Sequence, residues 1–281
     1  MRSRFWRSWA MICFLPGLVG GGAAADVAAL PAKADLRPAF VRWQLPVRPQ
    51  GHRGTCSVFA LTGALEFALA ERQHTGTVLS VEFLNWASNQ AATNSQDGGF
   101  FADLWRGYQA YGICTETNFP YHDDFDPQLH PAEAILSRAR ETKEAGLSLH
   151  WIKPWDVTTG VTEAQFAELK RTLARGWPVC GGFRWPKHEA WTDHVLQMTA
   201  PADVFDGHSV LLVGYKDEAG APGGGVFLIR NSGGGPRDAA IPYDYVRAYL
   251  NDAVWIEAAP AGKTTASTVL RSAAAPARPA L

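Results

Sequence analysis

The apolar residues of this chain follow helical spacing in its first half and strand-like spacing in its second half. Residues 57–73 repeat apolar side chains at helical intervals and carry few charges, which predicts a buried helix. Further helices are predicted over residues 81–90 (with Ser80 as N-cap), 100–111 and 162–175 (with Thr162 and Gln165 as a capping box). Short β-prone runs separated by Gly and Pro follow at 179–183, 209–216, 226–230 and 253–257. Helices followed by strands predict an α+β fold of two subdomains, with a site in the cleft between them.

Composition places the chain among ordered globular proteins. Its 281 residues are 47% hydrophobic and 19% charged, enough to bury a large core. The formal net charge of −1 argues against non-specific binding to nucleic acid or to an anionic membrane surface. We therefore expect neither as a partner.

The N-terminus has the three parts of a secretory signal peptide. Arg2, Arg4 and Arg7 form a positive region, residues 9–19 form an apolar run, and small residues end at Ala25. We expect cleavage after Ala25, which predicts a secreted or periplasmic protein. The alternative is an uncleaved amphipathic anchor. The chain has no other apolar run near 18 residues, so we expect no membrane association after cleavage.

The rest of the chain divides by composition. Residues 26–35 are predicted to be a short leader, and residues 36–257 a single domain dense in apolar and aromatic side chains. Within that domain a helical half is expected over about 50–150, and a β half over about 151–257 together with the N-terminal segment. Residues 258–281 are rich in Ala, Pro and Thr and predict a disordered tail.

Three cysteines remain after the predicted cleavage. They are Cys56, Cys114 and Cys180. An odd number in an oxidising compartment predicts at least one free thiol. Cys114 and Cys180 could form a disulfide with each other or could be small buried residues, and the sequence leaves both alternatives open.

A loop punctuated by glycines leads directly into the predicted buried helix and places Cys56 at or beside the helix N-terminus. Unpaired backbone N–H groups at that position favour the thiolate over the thiol, which is what a nucleophile requires. Gln50 lies six positions earlier on the same loop. Its side-chain amide and the backbone N–H of Cys56 could together form an oxyanion hole. The alternative is that Cys56 is a structural cysteine.

A histidine and an asparagine occur at the ends of two predicted strands. His208 begins a buried strand, and Asn231 ends the strand that follows it. Adjacent strands could bring the two side chains together, so that the amide oxygen accepts the ring N–H and fixes the histidine tautomer. Taken alone, His208 could equally be a surface or core residue and Asn231 a turn residue.

Several motifs make the chain resemble the papain family of cysteine peptidases. The strongest are QGHRGTC around Cys56, GHSVLLVGY around His208 and RNSG around Asn231, in that order along the chain. Weaker matches are LSVEFL from Leu79, DGG from Asp97 and FPY from Phe119. The resemblance covers roughly residues 36–257. It implies the papain-like two-subdomain fold, a helical half followed by an antiparallel β-barrel-like half, with the active site in the cleft between them.

The resemblance also implies a function and a set of site residues. It implies a cysteine peptidase with a Cys56–His208–Asn231 triad and Gln50 in the oxyanion hole, acting through a thioester on peptide or protein substrates. It further implies that Gly98, Gly99 and Gly207 contact substrate, the first two as a backbone wall that hydrogen-bonds an extended peptide. We expect a monomer that needs no cofactor and no metal. His188 and His194 could in principle bind a metal, but solvated loop residues are the simpler interpretation.

The sequence departs from the family pattern at three positions. The cysteine usually found three residues before the nucleophile is Arg53, and the aromatic residue that usually follows the nucleophile is Ser57. The tryptophan that usually shields the His–Asn hydrogen bond is Gly233, which predicts a wetter and weaker pair. Two alternative functions therefore stay open: a catalytically impaired peptide-binding protein, and an acyltransferase with the same triad.

Overall fold

The computed structural model describes residues 29–258. The predicted signal peptide, and the predicted tail beyond Ala258, lie outside the described residues. The helices are α1 (Arg37–Arg42), α2 (Cys56–Gln73), α3 (Val81–Ala92), α4 (Phe101–Tyr111), α5 (Glu133–Glu141), α6 (Glu163–Ala174) and α7 (Tyr243–Tyr249). The strands are β1 (Lys33–Asp35), β2 (Leu147–Lys153), β3 (Val179–Pro186), β4 (Trp191–Thr192), β5 (Val195–Leu196), β6 (Val204–Asp217), β7 (Gly225–Arg230), β8 (Asp238–Pro242) and β9 (Leu250–Ala258).

Helix α2 lies at the centre of the molecule. Its apolar residues occupy nearly every face, so that side chains such as Val58, Leu61 and Leu65 are fully buried. The helix packs against α3 and α4 on one side and against β6 and β9 on the other. The N-terminus of this rigid, fully packed element therefore has a fixed position relative to the sheet.

The strands form one sheet in the order β2-β9-β3-β6-β7-β8-β5-β4, with β1 also paired to β6. All pairs are antiparallel except the contact between β5 and β8. Strand β6 is longer than the predicted run at 209–216, because β3, β7 and β1 pair with different parts of it. Helices packed against a large, mostly antiparallel sheet confirm the prediction of a two-part α+β fold.

Two apolar clusters stabilise the two parts. One joins α2, α3 and α4 to the sheet face that carries Cys180, Leu211 and Val254. The other lies on the opposite face, where α6 and α7 cover residues such as Leu212 and Phe227. The capping box of α6 and the Ser80 cap of α3 form as predicted, so the ends of both helices are set by local sequence.

The N-terminal segment is part of the sheet. Strand β1 pairs with residues 214–216 of β6, and the Pro31 carbonyl accepts a hydrogen bond of 2.6 Å from the Tyr215 hydroxyl. The segment that was predicted to be a leader up to residue 35 therefore contributes a strand, and we propose that the domain begins near Pro31. Within residues 29–258, no helix has the combination of length and apolar character that crossing a bilayer demands.

Candidate active site

A cleft of about 390 Å³ lies between the helices and strands β3, β6 and β9 of the sheet. Cys56 lies in this cleft as the first residue of α2. Thr55 is at the N-cap position, but its hydroxyl bonds to the Tyr121 hydroxyl at 2.7 Å and does not cap the helix. The first N–H groups of α2 are thus left without a side-chain acceptor, which favours negative charge on the adjacent sulfur.

His208 enters the cleft from the sheet. On β6 the pairing with β3 shifts register between Phe183↔His208 and Arg184↔Asp206, so that Gly207 forms a bulge immediately before the histidine. His208 Nε2 donates to Asn231 Oδ1 at 2.9 Å, and the imidazole is also hydrogen-bonded to the Cys56 sulfur. Because Nε2 faces Asn231, the nitrogen that faces Cys56 is Nδ1. The structure therefore brings Cys56, His208 and Asn231 into one hydrogen-bonded line.

The contacts of this pair shift both protonation equilibria. Burial by itself would raise the pKa of the Cys56 thiol, but the hydrogen bond and charge of His208 outweigh burial and lower it. Burial would likewise lower the pKa of His208, but the interactions with Cys56, and then with Asn231, raise it. Both shifts favour a thiolate beside an imidazolium.

The other two described cysteines have the opposite character. Cys114 and Cys180 are buried and free, so the alternative that they form a disulfide is wrong. Burial raises the pKa of Cys114 to about 12 and raises that of Cys180 well above its usual value. Among the described thiols, Cys56 is thus the one prepared to act as a thiolate.

Gln50 is held rigidly beside the nucleophile loop. Its Oε1 accepts from Ser232 Oγ at 2.9 Å, and its Nε2 donates to the Arg53 carbonyl at 2.8 Å. Its backbone N–H also donates to the Ser232 carbonyl at 2.9 Å. These contacts fix the amide plane and use one of its two N–H hydrogens, so the second is available to another acceptor.

The three glycines predicted to contact substrate lie beside the nucleophile loop, and one polar group of each already has a partner. The Gly98 N–H donates to Asn85 Oδ1 at 3.0 Å, and the Gly99 N–H donates to Ser57 Oγ at 3.3 Å. The Gly207 carbonyl accepts a long hydrogen bond of 3.6 Å from the Cys56 thiol. A peptide that used the Gly99 N–H would therefore displace the Ser57 hydroxyl.

The prediction of a wet His208–Asn231 pair is wrong. Asn231 is fully buried, and the ring of Trp185 lies over His208 with 4.6 Å between ring centroids. Trp185 comes from β3, so the shield enters from the sheet and not from the position after the asparagine. Gly233 is needed for this arrangement, because a Cβ there would lie 2.7 Å from His208 Cε1.

Glu189 holds this shield in place. It accepts hydrogen bonds from the indole nitrogens of Trp185 at 2.8 Å and Trp191 at 2.9 Å. Its negative charge also contributes to raising the pKa of His208, after the larger effects of burial, Cys56 and Asn231. Within residues 29–258, no three or more His, Cys, Asp or Glu side chains are grouped to bind a metal ion.

Arg53 forms a buried ionic cluster next to the nucleophile loop. Its guanidinium bonds Glu82 at 2.5 Å and Asp97 at 2.7 Å, and it donates to the His122 carbonyl at 2.8 Å. The ring of Tyr121 lies 4.6 Å from the guanidinium carbon. This cluster ties the loop that carries Gln50 and Cys56 to the loop that carries Gly98.

Sequence reasoning missed the roles of Trp185 and Arg53. A signal for Arg53 was present, because Glu82 and Asp97 lie inside two of the motifs that carried the family resemblance. A buried arginine needs carboxylate partners, and these two were available nearby. Trp185 gave no comparable signal, since nothing local shows which side chain a tryptophan on a strand will cover.

Comparisons with known proteins show which sequences and structures this chain is similar to. Residues 30–237 match the sequence model of the family described as papain family cysteine protease. Oryzain gamma chain of Oryza sativa is 30% identical over 224 residues, which are 77% of this chain and 55% of the rice protein. Cathepsin K of Gallus gallus is 26% identical and covers 73% of this chain and 58% of its own length.

Solved structures show the same relationship. Xylellain, a cysteine protease from Xylella fastidiosa, superposes with a TM-score of 0.65 at 25% identity, covering 83% of this chain and 88% of its own. Digestive procathepsin L 3 of Tenebrio molitor shares the fold, with a TM-score of 0.59 at 21% identity and coverage of 83% and 71%. The chain spans about half the length of the curated relatives it matches, between 49% and 58%.

Proposed function

The chain belongs to the papain family of cysteine proteases, and on that premise we propose that it hydrolyses peptide bonds with Cys56 as nucleophile, His208 as base and Asn231 as the group that orients the histidine. The observation that carries the proposal is the hydrogen-bonded line from Asn231 through His208 to Cys56 at the uncapped N-terminus of α2. A thiolate stabilised in this way is a competent nucleophile at neutral pH.

The first half-reaction transfers the acyl group to the enzyme. The Cys56 thiolate attacks the peptide carbonyl carbon and forms a C–S bond, while an electron pair moves onto the carbonyl oxygen. The Cys56 backbone N–H and the second amide hydrogen of Gln50 donate to that oxyanion. The His208 imidazolium then gives its proton to the leaving amine as the C–N bond breaks, which leaves a thioester and a neutral imidazole.

The second half-reaction hydrolyses the thioester. Neutral His208 accepts a proton from water, and the resulting hydroxide attacks the thioester carbonyl at the same oxyanion site. The C–S bond then breaks, the carboxylic acid product leaves, and the thiolate–imidazolium pair is restored. Throughout both steps the Asn231 carbonyl oxygen and the Trp185 ring keep the imidazole oriented and dry.

An extended peptide would lie against the Gly98–Gly99 segment. Its main chain would accept from the Gly99 N–H in place of Ser57 Oγ. The Gly207 carbonyl is released when Cys56 loses its proton, because the thiolate has no hydrogen to donate. That carbonyl then becomes an acceptor for a substrate N–H, so ionisation of the nucleophile also prepares a substrate contact.

We also propose that the protein is secreted or periplasmic and acts as a monomer. Cleavage after Ala25 would leave intact the contacts that the structure shows from Pro31 onward, and one chain supplies every side chain of the site. N-terminal sequencing of the exported protein should give Asp26, give or take a few residues, and light scattering should give the mass of one chain. An unprocessed protein in the membrane fraction would support the uncleaved anchor instead.

Mass mapping after treatment with an epoxide inhibitor of cysteine peptidases tests the triad. We expect modification of Cys56 only, lost in His208→Ala, together with hydrolysis of an unstructured protein substrate. Cys56→Ala should lower hydrolysis by at least about 1,000-fold without changing the thermal unfolding midpoint. Cys114→Ala is the matched control and should keep both labelling and activity, because that thiol is buried with a raised pKa.

Three outcomes separate this proposal from its alternatives. Full hydrolysis by Cys56→Ala would exclude Cys56 as the nucleophile. Peptide binding without turnover, and without labelling at Cys56, would support the impaired binding protein. Transfer of the acyl group to an added amine in preference to water would support the acyltransferase, since both enzymes share the first half-reaction.

A further inference from the structure

The loop that follows β3 carries an acidic residue whose two carboxylate oxygens serve two tryptophans. This residue, Glu189, belongs to the segment RWPKHEAWTDH, and the proposed chemistry assigns no step to its charge. Its Oε1 accepts from the Trp185 indole at 2.8 Å, and its Oε2 accepts from the Trp191 indole at 2.9 Å. Because each oxygen has its own donor, the plane of the carboxylate is fixed, although the residue is exposed to solvent.

Trp185 transmits this constraint to the catalytic histidine. The tryptophan is only 2% exposed, and its ring lies against the His208 ring with 4.6 Å between the centroids. An indole has a single N–H donor, and in Trp185 that donor is used by Glu189. A tryptophan that is packed against the imidazole and held by its N–H group restricts rotation of the histidine ring. The position of the Glu189 carboxylate is therefore coupled to the orientation of His208.

The same carboxylate lies beside the glycine loop that supports Asn231. The side-chain amide of Asn231 donates to the Gly234 carbonyl at 2.5 Å. A Cβ on Gly234 would lie 3.7 Å from Glu189 Oε1, and a Cβ on Gly235 would lie 2.9 Å from Glu189 Oε2. Gly235 also has a φ of +76°, a conformation that favours glycine. Glu189 thus contacts the supports of both partners in the His208–Asn231 hydrogen bond.

Several ionisable groups are packed around His208. They include Cys56 of α2, Asp252 of β9, which lines the same cleft, Arg237 of the loop before β8, which donates to the Gly233 carbonyl, and Glu189. Burial lowers the pKa of His208, whereas Cys56, then Asn231, then the charge of Glu189 raise it. The carboxylate of Glu189 therefore contributes negative charge near a ring that must be an imidazolium when the leaving amine is protonated.

Resting on the proposed function, we propose that Glu189 is a positioning residue for His208, which acts through the Trp185 ring and through its own negative charge. The carboxylate holds the tryptophan that keeps water from the His208–Asn231 bond, and its charge stabilises the imidazolium. Glutamine at this position would keep the size of the side chain, but it has one acceptor oxygen and no charge. One of the two indoles would then lose its partner.

The pH profile of epoxide inactivation, measured together with kcat and KM, tests this proposal. Loss of a negative charge lowers the pKa of His208, so in Glu189→Gln the alkaline limb should move to lower pH by about 0.3–1 unit. The acid limb, which reports Cys56, should stay in place. The value of kcat should fall by about 3–30-fold with KM within about twofold, because the ring is less well held.

Two further variants separate charge from reach. Glu189→Asp keeps the charge but is one methylene shorter, so it should lower kcat while it leaves the alkaline limb in place. Glu218→Gln is the matched control, because Glu218 is an exposed carboxylate that pairs with Lys216 at 2.9 Å beyond the far end of β6. We expect this control to change neither limb and to keep kcat.

The outcomes distinguish this inference from the proposed function. If the wild type is neither labelled at Cys56 nor able to hydrolyse peptides, the proposed function fails, and this inference fails with it. If the wild type is active but Glu189→Gln leaves the alkaline limb in place, only this inference fails, because a loss of rate without a shift is what a loosened loop alone produces. If Glu189→Gln does not fold, Trp185→Phe decides, since it keeps a ring over His208 and removes the bond to Glu189. A kcat of Trp185→Phe within about twofold of the wild type would then overturn the proposal.

Discussion

Replacing Arg53 with methionine removes the cation that Glu82 and Asp97 share. Methionine keeps most of the aliphatic volume of arginine but carries no charge, so the change isolates the electrostatic contribution. The Arg53 side chain is 2% exposed, and its two partners are 4% and 19% exposed. Both carboxylates would therefore be left in a largely water-excluded environment without their counterion.

The magnitude of the effect follows from that burial. Breaking a buried ion pair by removing one partner costs about 3–5 kcal/mol, because the other charge is left uncompensated. Here one arginine serves two carboxylates and the His122 carbonyl, so we expect a value near the upper end. Stabilities of about 5–15 kcal/mol are typical, so the change would remove a large share of the free energy of unfolding.

Urea unfolding of the purified protein measures the loss. With a slope of about 3 kcal/mol/M, the midpoint should fall by about 1–2 M. Arg42→Met is the matched control, because Arg42 lies 3.6 Å from Glu71 with 63% of its side chain exposed. We expect that control to change stability by less than about 1 kcal/mol.

A second pair of variants tests the mechanism of the loss. Adding Glu82→Gln to Arg53→Met removes one uncompensated charge and should recover part of the stability, whereas Glu82→Gln alone should destabilise. A double variant no more stable than Arg53→Met would refute the electrostatic reasoning. So would an Arg53→Met protein within about 1 kcal/mol of the wild type.

Three further predictions concern the site itself. Gly233→Ala should lower kcat by about 10–100-fold with little change in KM, because its Cβ would displace the His208 ring, and steady-state kinetics measure this. The rate of epoxide inactivation should rise as pH rises through the lowered Cys56 pKa and should fall as pH passes the raised His208 pKa. A single rise near the ordinary thiol pKa of about 8.5 would contradict the thiolate–imidazolium pair. Ser57→Ala should release the Gly99 N–H for substrate and lower KM by about 2–10-fold, and an unchanged KM would show that substrate does not use this group.

The elements that the sequence predicted well are those with strong local signals. Helix α2 begins at Cys56 and ends at Gln73, against a prediction of 57–73, because its apolar spacing and the preceding glycines mark both ends. The capping box of α6 is similarly local. Strand ends were less predictable: β6 extends to Val204 because β3 offers partners there, and pairing of that kind depends on residues distant in sequence.

The positions of the site residues were readable from motifs, but their surroundings were not. The motifs around Cys56 and His208 indicated a nucleophile and a base, and the structure brings both together with Asn231. The groups that shield the histidine and tether the nucleophile loop are set by contacts between segments far apart in the chain. The position of Trp185 over the histidine is set by sheet register, which a single sequence does not display.

The close approach of Gly233 to His208 has an evolutionary consequence. With the backbone in this position, any larger residue at 233 collides with the imidazole before its side chain can cover the neighbouring hydrogen bond. The effects of substitutions at positions 233 and 185 therefore depend on each other. A tryptophan at position 233 requires that the loop first move away from His208. Trp185 can be lost without exposing the histidine only when such a tryptophan is already in place. With the backbone as it stands, the histidine of this chain is therefore shielded from the sheet side and not from position 233.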